Sequence, residues 1–406
     1  MTIVVKGGSV LTSQGMAMCD VVVEDGVVDS LEPEASVTAA EVVNASGCLV
    51  GPGFVDLHTH LRDPGQTWKE DLMSGSLAAA AGGFTAIIAM PNTDPPLDDP
   101  KLISDLVARG EEIGLTQLAV AGAVTRGRAG GDLAPLEDLY AAGARLFTDD
   151  GDVVATPLLA EALRRLDRLP GAVLAQHAED PALSHGSVRP AAAAEVEVVR
   201  GDLDVLRRVG GRYHCQHVSA AGTVELLRLA REEGMGITAE VAPHHLTFDD
   251  TMAPADDPNF KMYPPIRSGE DRRAVVTALA EGVLDAVATD HAPHTAQEKA
   301  VGLEAAPRGV IGLETAAAAV WEVLDDPVRF FEVLSVAPAR IAGLGEQGHH
   351  LRRGLPAHLV VFDPTRRWAP DRFVSRSANS PYRGRTMRGE VRATIYRGRL
   401  TYEAGS

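Results

Sequence analysis

The fold is decided by one stretch, Phe54-Val55-Asp56-Leu57-His58-Thr59-His60-Leu61-Arg62-Asp63-Pro64-Gly65. It opens as a short apolar run after two glycines, which is typical of a buried strand. Because side chains alternate across a strand, His58 and His60 are expected on one side, where they can hold one metal ion together. Arg62 continues the alternation and adds a fixed cation suited to gripping a carboxylate. A lone H-x-H motif is equally compatible with ordinary core or surface histidines, so the other ligand candidates decide its meaning.

Composition and charge narrow the class of protein. The chain has 406 residues, 45% hydrophobic and 23% charged, which fits a soluble globular protein of two or three domains, or one large barrel with an appendage. Its 38 basic and 56 acidic residues give a net charge of −18, which argues against nucleic acid or an anionic membrane as the main partner. Three cysteines without a pairing pattern favour a reducing compartment, and neither a signal peptide nor a membrane-spanning run is visible. We therefore expect a soluble cytoplasmic protein.

The two ends of the chain share one pattern and the middle has another. β-branched runs separated by tight turns fill residues 1–51 and return in 346–406, which predicts one small β domain, a β-sandwich, built from both ends. Residues 52–345 alternate short apolar runs with Ala/Leu-rich helical stretches such as 72–81, 157–166, 223–233 and 272–281. Eight candidate strands end near residues 60, 91, 124, 150, 177, 217, 245 and 291. This alternation predicts an α/β fold with a (β/α)₈ barrel, whose chemistry lies at the C-terminal ends of the strands.

Five of the predicted strands end in side chains that can bind a metal. They are His58 and His60 on the first strand, Asp149 and Asp150 on the fourth, His177 on the fifth, His217 on the sixth and Asp290 on the eighth. Taken singly, each is more often structural, as a core histidine bonded to backbone or an aspartate that caps a helix. Their repetition at the same end of five strands is difficult to attribute to packing. Imidazole with carboxylate suits zinc or a similar divalent ion, and a carboxylate can bridge two ions.

These residues lie in motifs that resemble those of the cyclic amidohydrolases of the amidohydrolase superfamily, most closely the bacterial class I dihydroorotases. The motifs are residues 58–65, 90–93, 147–151, 238–245 and 288–294, and the resemblance covers nearly the whole chain. It implies a barrel of the amidohydrolase type with a composite β domain. Relatives that hydrolyse other rings carry a carboxylated lysine on the fourth strand. The aspartates at 149 and 150 therefore favour dihydroorotase.

The resemblance implies a metal-dependent cyclic amide hydrolase that interconverts N-carbamoyl-L-aspartate and L-dihydroorotate in pyrimidine (UMP) biosynthesis. It implies one or two Zn²⁺ ions per subunit, with two expected, bridged by Asp150 and a hydroxide. The implied ligands are His58, His60 and Asp290 for one ion and His177 and His217 for the second. Asp290 would also be the catalytic base. The implied substrate-binding residues are Arg62, Asn92 and His294 around the carboxylate, with Tyr263, Arg308 and Gly309 near the ring.

The chain departs from the family pattern in three places. Tyr263 stands where many class I dihydroorotases have an asparagine that contacts the substrate ring. Arg308 replaces the usual aromatic or small residue before Gly309. The connection after Asp180 is shorter than the family's Gly-rich insert. These differences concern the shape of the pocket, whereas the implied metal ligands lie outside them.

Two alternatives remain. A hydantoinase, dihydropyrimidinase or allantoinase-like enzyme is disfavoured by the missing lysine and by Arg62, which expects a substrate carboxylate. A non-catalytic dihydroorotase-like subunit of an aspartate transcarbamoylase assembly is disfavoured because such subunits usually lose the H-x-H histidines. A homo-oligomer is expected. Glu240, His244 and His245 are interpreted as residues that support the ligands or pack, and His214, which has the wrong strand parity, as structural.

Overall fold

A computed structural model describes residues 2–36, 40–185 and 187–405 of the chain. Its strands are β1 (Thr2–Thr12), β2 (Gly15–Glu24), β3 (Val27–Glu32), β4 (Glu41–Asn44), β5 (Leu49–Pro52), β6 (Phe54–Thr59), β7 (Phe84–Ala89), β8 (Gln117–Val120), β9 (Leu146–Phe147), β10 (Val173–Gln176), β11 (Tyr213–Cys215), β12 (Ile237–Val241), β13 (Ala286–Val287), β14 (Leu359–Trp368), β15 (Met387–Tyr396) and β16 (Arg399–Glu403). Its α-helices are α1 (Leu72–Ala81), α2 (Pro100–Ile113), α3 (Leu136–Ala141), α4 (Thr156–Leu166), α5 (Pro181–Ser184), α6 (Ala193–Val209), α7 (Ala221–Glu232), α8 (Pro243–Thr247), α9 (Gly269–Glu281), α10 (Ala296–Lys299), α11 (Ala316–Leu324), α12 (Pro327–Phe331) and α13 (Ala337–Ala342).

The two ends of the chain form one eight-stranded sheet. Its order is β16-β15-β14-β5-β1-β2-β3, with β4 paired to β1. The joint between the ends is the antiparallel pair β5–β14, in which Val50 faces Val361. Alternate residues such as Ile3 and Val5 of β1 are buried in a cluster of small branched side chains, as the β-branched runs predict. We propose the division into 1–51 with 346–406 and 52–345 as domain boundaries, although β5 itself runs on to Pro52.

The eight strands β6 to β13 close into a barrel. The parallel strands β6, β7 and β8 form one sheet, and β9 to β13 form a second in chain order. Parallel bridges between Gly122 and Phe147 and between Thr59 and His291 join the two sheets at both edges. Every residue of β6 and of β7 is buried, as expected for parallel strands covered on both faces. The predicted (β/α)₈ barrel is confirmed.

The helices around the barrel begin where the sequence supplies caps. Asp71 caps α1 and Ser268 caps α9, each in a reciprocal capping box with the third helical residue. Helix α1 covers the predicted range 72–81. Among the described residues, no helix combines the length and the apolar composition that crossing a bilayer would require.

The barrel strands are shorter than the sequence predicts. Strand β9 ends at Phe147, β10 at Gln176, β11 at Cys215 and β13 at Val287. The metal-capable residues of these four strands therefore follow the last ladder residue instead of belonging to the strand. Single hydrogen bonds continue beyond these ends, as from the backbone N–H of Gln216 to the carbonyl of Gln176 (3.1 Å), and Asp150, His177 and Asp290 line the cavity at the barrel mouth.

Candidate active site

Two histidines and two aspartates from β6, β9 and β13 meet at the barrel mouth. Nε2 of His60 lies 3.0 Å from Oδ1 of Asp290 and 3.5 Å from Oδ2 of Asp150. Nε2 of His58 lies 3.2 Å from Oδ1 of Asp150 and 3.6 Å from Oδ1 of Asp290. His58, His60 and Asp290 each offer one ligand atom, and these atoms lie within 4.8 Å of one another. This spacing suits the coordination of one divalent ion.

A second pair of imidazoles lies on the other side of Asp150. Nδ1 of His177 and Nε2 of His217 are 2.9 Å apart, and they lie 3.7 and 3.8 Å from Oδ1 of Asp150. His58, Asp150 and His217 form a second group whose ligand atoms lie within 4.8 Å. Asp150 thus stands between two sets of ring nitrogens, which is the position that a bridging carboxylate needs.

The adjacent aspartate has a different environment. Oδ1 of Asp149 accepts the backbone N–H groups of Val124 (2.8 Å) and Thr125 (3.0 Å), and Oδ2 accepts the hydroxyl of Thr125. Asp149 therefore ties β9 to the loop after β8. The structure places Asp150, and not Asp149, among the ring nitrogens.

Three of the residues that face the site hold left-handed backbone conformations. The φ angles of Arg62, His217 and Asp290 are 59°, 33° and 48°. Such angles are uncommon for residues with a Cβ and are found where the surrounding structure fixes them, often at functional sites. The alternation predicted from His58 to Arg62 is wrong at Arg62, because strand β6 ends at Thr59. A turn, instead of a strand, directs Arg62 to the cavity.

The donor set fits a divalent metal. Nε2 of His58, Nε2 of His177 and Nδ1 of His217 are buried and have no hydrogen-bond partner among the described residues. Unsatisfied buried nitrogens are costly, and Nε2 of His58 is one that faces a carboxylate, at 3.2 Å from Oδ1 of Asp150. On His177 and His217 the other ring nitrogen of each approaches Asp150, at 3.7 and 3.8 Å. Imidazole and carboxylate are the ligands that zinc and similar ions use. The site therefore fits a metal better than it fits a hydrogen-bonded protein core.

The protonation states of Asp290 and His177 suit metal binding. Burial would raise the pKa of Asp290, but the hydrogen bond from His60 and the charge of His58 hold that pKa far below its usual range. Burial and the neighbouring His217 lower the pKa of His177 to about 3. Ionised carboxylates and a neutral imidazole are the forms that bind metals.

A second layer of polar residues orients His58. Oε1 of Glu240 lies 3.1 Å from Nδ1 of His58, and Oε2 lies 3.1 Å from Nε2 of His214. Nδ1 of His214 in turn contacts the hydroxyl of Thr238 at 2.8 Å. Burial would raise the pKa of Glu240, but the bonds with His214 and His58 lower it to about 2. A carboxylate behind a ligating histidine fixes its ring and tautomer. His214 thus contributes indirectly, through Glu240.

The predicted substrate residues line one cavity of about 190 Å³ beside the carboxylates. Its lining consists of His60, Arg62, Asn92, Asp150, Gly151, His177, Tyr263, Asp290, Ala292, His294, Arg308 and Gly309. The cavity therefore contains all six predicted substrate residues. His58 and His217 lie outside the lining but contact it through Asp150.

Arg62 is an unpaired cation of the cavity. Nε of Arg62 donates to the carbonyl of Pro293 (3.2 Å), and Nη2 lies 3.4 Å from Nε2 of His294. No carboxylate of the described residues forms an ion pair with it, and burial lowers its pKa to about 10. The amide of Asn92 contacts Nδ1 of His60 (2.8 Å) and Oδ2 of Asp150 (3.0 Å). A half-buried cation without a counter-ion fits an anionic ligand.

The two residues that depart from the family pattern form a stack. The ring centroid of Tyr263 lies 4.6 Å from that of His177, and the guanidinium carbon of Arg308 lies 4.0 Å from the Tyr263 centroid. Nη2 of Arg308 donates to the carbonyl of Ser187 at 3.2 Å, in the connection that follows α5. Gly186 of that shortened connection lies outside the described residues. The ring of Tyr263 thus lies against His177, and the guanidinium of Arg308 lies over the Tyr263 ring.

Some supporting residues were not found by sequence reasoning. Asn379 donates to the carbonyls of Ala292 (3.0 Å) and Gly309 (3.1 Å), and its Oδ1 accepts the backbone N–H of His294 (3.0 Å). It lies far along the chain, between β14 and β15, in no recognisable motif. Gly309 has a φ of 121°, and a Cβ there would lie 2.6 Å from Cβ of Ala292. Glycine at this position keeps the cavity open.

Comparison with known proteins agrees with this geometry. The profile of the Dihydro-orotase-like family matches residues 47–225. The chain is 41% identical to the dihydroorotase of Mycobacterium tuberculosis, with 95% of each chain aligned, and 36% identical to that of Aquifex aeolicus, with 99% of each aligned. Among solved structures, the L-hydantoinase (dihydropyrimidinase) of Arthrobacter aurescens is similar with a TM-score of 0.88 and 26% identity, covering 100% of this chain and 96% of the other.

Proposed function

The chain belongs to the dihydroorotase family, and on that premise we propose that its barrel mouth opens and closes the six-membered ring of L-dihydroorotate. The open form is N-carbamoyl-L-aspartate. The observation that carries the proposal is the convergence of four imidazoles and two ionised carboxylates beside a cavity that also holds an unpaired arginine.

The family depends on metal, and the described residues include two overlapping groups, both containing His58, that could hold an ion. We propose two Zn²⁺ ions, one held by His58, His60 and Asp290 and one by His177 and His217, with Asp150 shared between them. When bound, such ions activate a water molecule as nucleophile and polarise the carbonyl that it attacks. The central position of Asp150 among four ring nitrogens supports this assignment.

Asp290 is the base in this proposal. Its carboxylate lines the cavity, accepts a hydrogen bond from His60 at 3.0 Å and is ionised at neutral pH. In ring opening it takes a proton from the attacking water and returns it to the ring nitrogen as the C–N bond breaks. Ring closure reverses these transfers. A carboxylate within hydrogen-bond reach of both atoms can serve both directions.

Arg62 and His294 hold the carboxylate of the substrate. The two side chains are adjacent, at 3.4 Å, and Arg62 has no protein carboxylate to neutralise it. Asn92 faces the same end, where its amide also fixes His60 and Asp150. The net charge of −18 makes such a local cation important, because the chain as a whole repels a dianionic substrate.

Tyr263, Arg308 and Gly309 line the part of the cavity that would contact the ureido edge of the substrate ring. Dihydroorotate presents three polar parts: the amide that reacts, the carboxylate and the ureido carbonyl. The reacting amide lies at the proposed metal ligands, and the carboxylate lies at Arg62. The hydroxyl of Tyr263 and the guanidinium of Arg308 are the other polar side chains of the lining, so we assign the ureido edge to them.

Substrate comparison tests this function. Chelator-treated protein, reloaded with Zn²⁺, should open L-dihydroorotate and close N-carbamoyl-L-aspartate, and metal analysis should find two ions per chain. 5,6-Dihydrouracil and hydantoin lack the carboxylate and should be poor substrates. Faster turnover of either neutral ring would favour a hydantoinase-like enzyme. No turnover without aspartate transcarbamoylase, but turnover with it, would place the activity in an assembly.

The assembly and location of the protein are further proposals. We propose a homo-oligomer, with association with aspartate transcarbamoylase as a second mode, in a cytoplasmic location. Light scattering of the purified protein, alone and mixed with the transcarbamoylase, tests both modes. A monomer in both measurements would contradict them.

A further inference from the structure

A buried arginine lies behind the second pair of ligand histidines. Arg267 follows the loop after α8 and immediately precedes the cap of α9, and it is only 7% exposed. Nε donates to the hydroxyl of Ser219 (3.0 Å), and Nη1 donates to the carbonyl of Pro190 (2.5 Å). Nη2 lies 2.8 Å from Oε2 of Glu179 and 3.5 Å from Oε2 of Glu195. One guanidinium thus reaches four segments of the chain.

Two of those segments carry the histidines. Glu179 lies two residues after His177, and Ser219 lies two residues after His217. The same guanidinium therefore contacts the loops that follow β10 and β11. The imidazoles at the start of these loops lie 2.9 Å apart. Because two bonds from a planar fork fix both distance and angle, Arg267 sets the relative position of the two loops.

Glu195 completes the connection. From the first turn of α6, its carboxylate accepts the backbone N–H groups of Ser219 (3.1 Å) and Ala220 (3.0 Å) and the hydroxyl of Ser219. Ala220 is the N-cap of α7 and has no side chain that could cap the helix. Glu195 therefore caps the N-terminus of α7 from a different helix, α6, and its negative charge suits a helix N-terminus.

The charges make Arg267 indispensable to this arrangement. Glu179 and Glu195 are each 1% exposed, and Arg267 is the cation that pairs with both among the described residues. Without it, two buried carboxylates would repel each other across the gap between the loops. The loops would separate, and the histidines would separate with them.

We infer that Arg267 is a positioning residue for the His177–His217 pair and thereby sets the affinity of one of the two metal ions. The inference rests on the proposed two-ion site. It distinguishes the ions, because Arg267 contacts neither the loop of His58 and His60 nor that of Asp290. Loss of a residue that orients ligands typically weakens metal binding about 10- to 100-fold.

Zinc titration tests the inference. Metal-free wild-type protein, Arg267→Met and Arg267→Lys are titrated with Zn²⁺ against a chromophoric chelator. Arg267→Met should weaken one ion about 10- to 100-fold and leave the other unchanged. Arg267→Lys keeps the charge but cannot reach four acceptors, so it should fold and show a smaller loss at the same site. Ser219→Ala removes only the two hydrogen bonds of one hydroxyl, with Arg267 and Glu195, and serves if Arg267→Met does not fold.

Arg272 provides the matched control. It lies five residues further on, pairs with Asp249 at 3.3 Å and contacts neither loop. Arg272→Met should bind both ions as the wild type does. Melting temperature gives a second readout: the rise caused by Zn²⁺ should be smaller in the Arg267 variants, whereas a purely structural role would lower the metal-free and loaded forms equally.

The outcomes separate the two proposals. Wild-type protein with two ions, together with unchanged zinc affinities in Arg267→Lys and Arg267→Met, would overturn the inference alone. Equal weakening of both ions would also overturn it. A wild-type protein that binds a single ion would overturn the two-ion site and the inference with it.

Discussion

Two buried aspartates show how differently the end sheet and the barrel mouth use the same side chain. Asp20 of β2 and Asp150 after β9 are 5% and 4% exposed. The carboxylate of Asp20 accepts the backbone N–H groups of Gly7 and Ala35, both at 2.8 Å. That of Asp150 faces four imidazoles, from 3.2 to 3.8 Å away. Burial alone therefore does not mark a functional residue, whereas the kind of partner does.

The two regions also differ in how their polar atoms are satisfied. Ring nitrogens without partners gather at the mouth, on His58, His177, His217 and His244 among others. At the end sheet, Nε2 of His358 is also without a partner, but that ring stacks on Tyr396 at 5.0 Å. An isolated unsatisfied atom costs stability only. Four imidazoles that approach one carboxylate, as they do at Asp150, indicate a ligand, and holding them there lowers stability in favour of function.

The largest expected effect of a single change is at the mouth. Asp290→Asn keeps the shape of the side chain but removes the base, so kcat for dihydroorotate should fall about 10²- to 10⁴-fold. Zinc content should fall only in part, because His58, His60 and Asp150 remain. Steady-state kinetics and metal analysis of the same preparation provide the measurement.

The distinction between the two regions would be wrong if Asp290 at the mouth had a structural role like that of Asp20 in the sheet. A variant at Asp290 that retained near-normal kcat while melting at a lower temperature would assign it a structural role. Loss of all zinc would mean that the fall in kcat reflects the missing metal, and the role of base would lose its support.

A smaller effect is expected at the arginine of the cavity. Arg62→Met removes a charged hydrogen-bond donor, which contributes about 1.5–3 kcal/mol, so kcat/KM for dihydroorotate should fall about 10- to 150-fold. Zinc content should not change. Arg109→Met is the control, because Arg109 pairs with Asp63 on a side chain that is 50% exposed and does not line the cavity. Equal losses in both variants would show that the effect comes from general destabilisation.

The sequence was sufficient for the barrel and for the position of the ligand candidates along the chain. Apolar runs alternate with helical stretches, and polar residues follow the runs at one end, so a local pattern carried the prediction. Helix α1 matched its predicted range for the same reason. The predicted ends of the strands were less accurate, because β9, β10, β11 and β13 each end before the predicted residue. Where a strand ends depends on its pairing with neighbouring strands, which a local pattern does not show.

The contacts of the supporting residues could not be predicted from local pattern, although the sequence analysis names Glu240 as one of them. Glu240 lies 182 positions from His58, and Arg267 lies 88 positions from Glu179, so no spacing in the sequence links them. Strand alternation alone admitted either Asp149 or Asp150, and the resemblance to the family favoured Asp150; the backbone partners of Asp149 give the physical reason why that residue is turned away. Contacts of this kind arise from topology, which motifs do not encode.

The smallest effect on activity is expected in the end sheet, where a change at Asp20 separates an effect on stability from an effect on function. Asp20→Asn leaves one carbonyl oxygen for two backbone donors and turns an amide N–H₂ toward the other, so the free energy of unfolding should fall by about 1–3 kcal/mol. Because the sheet contributes none of the cavity lining, kcat, KM and zinc content of the folded protein should equal those of the wild type. Urea unfolding followed by circular dichroism measures the first quantity, and assays well below the transition measure the others. A change in zinc affinity without a change in stability would show that the sheet and the mouth are coupled. Asp20 would then have a role in the site, as proposed for Asp150.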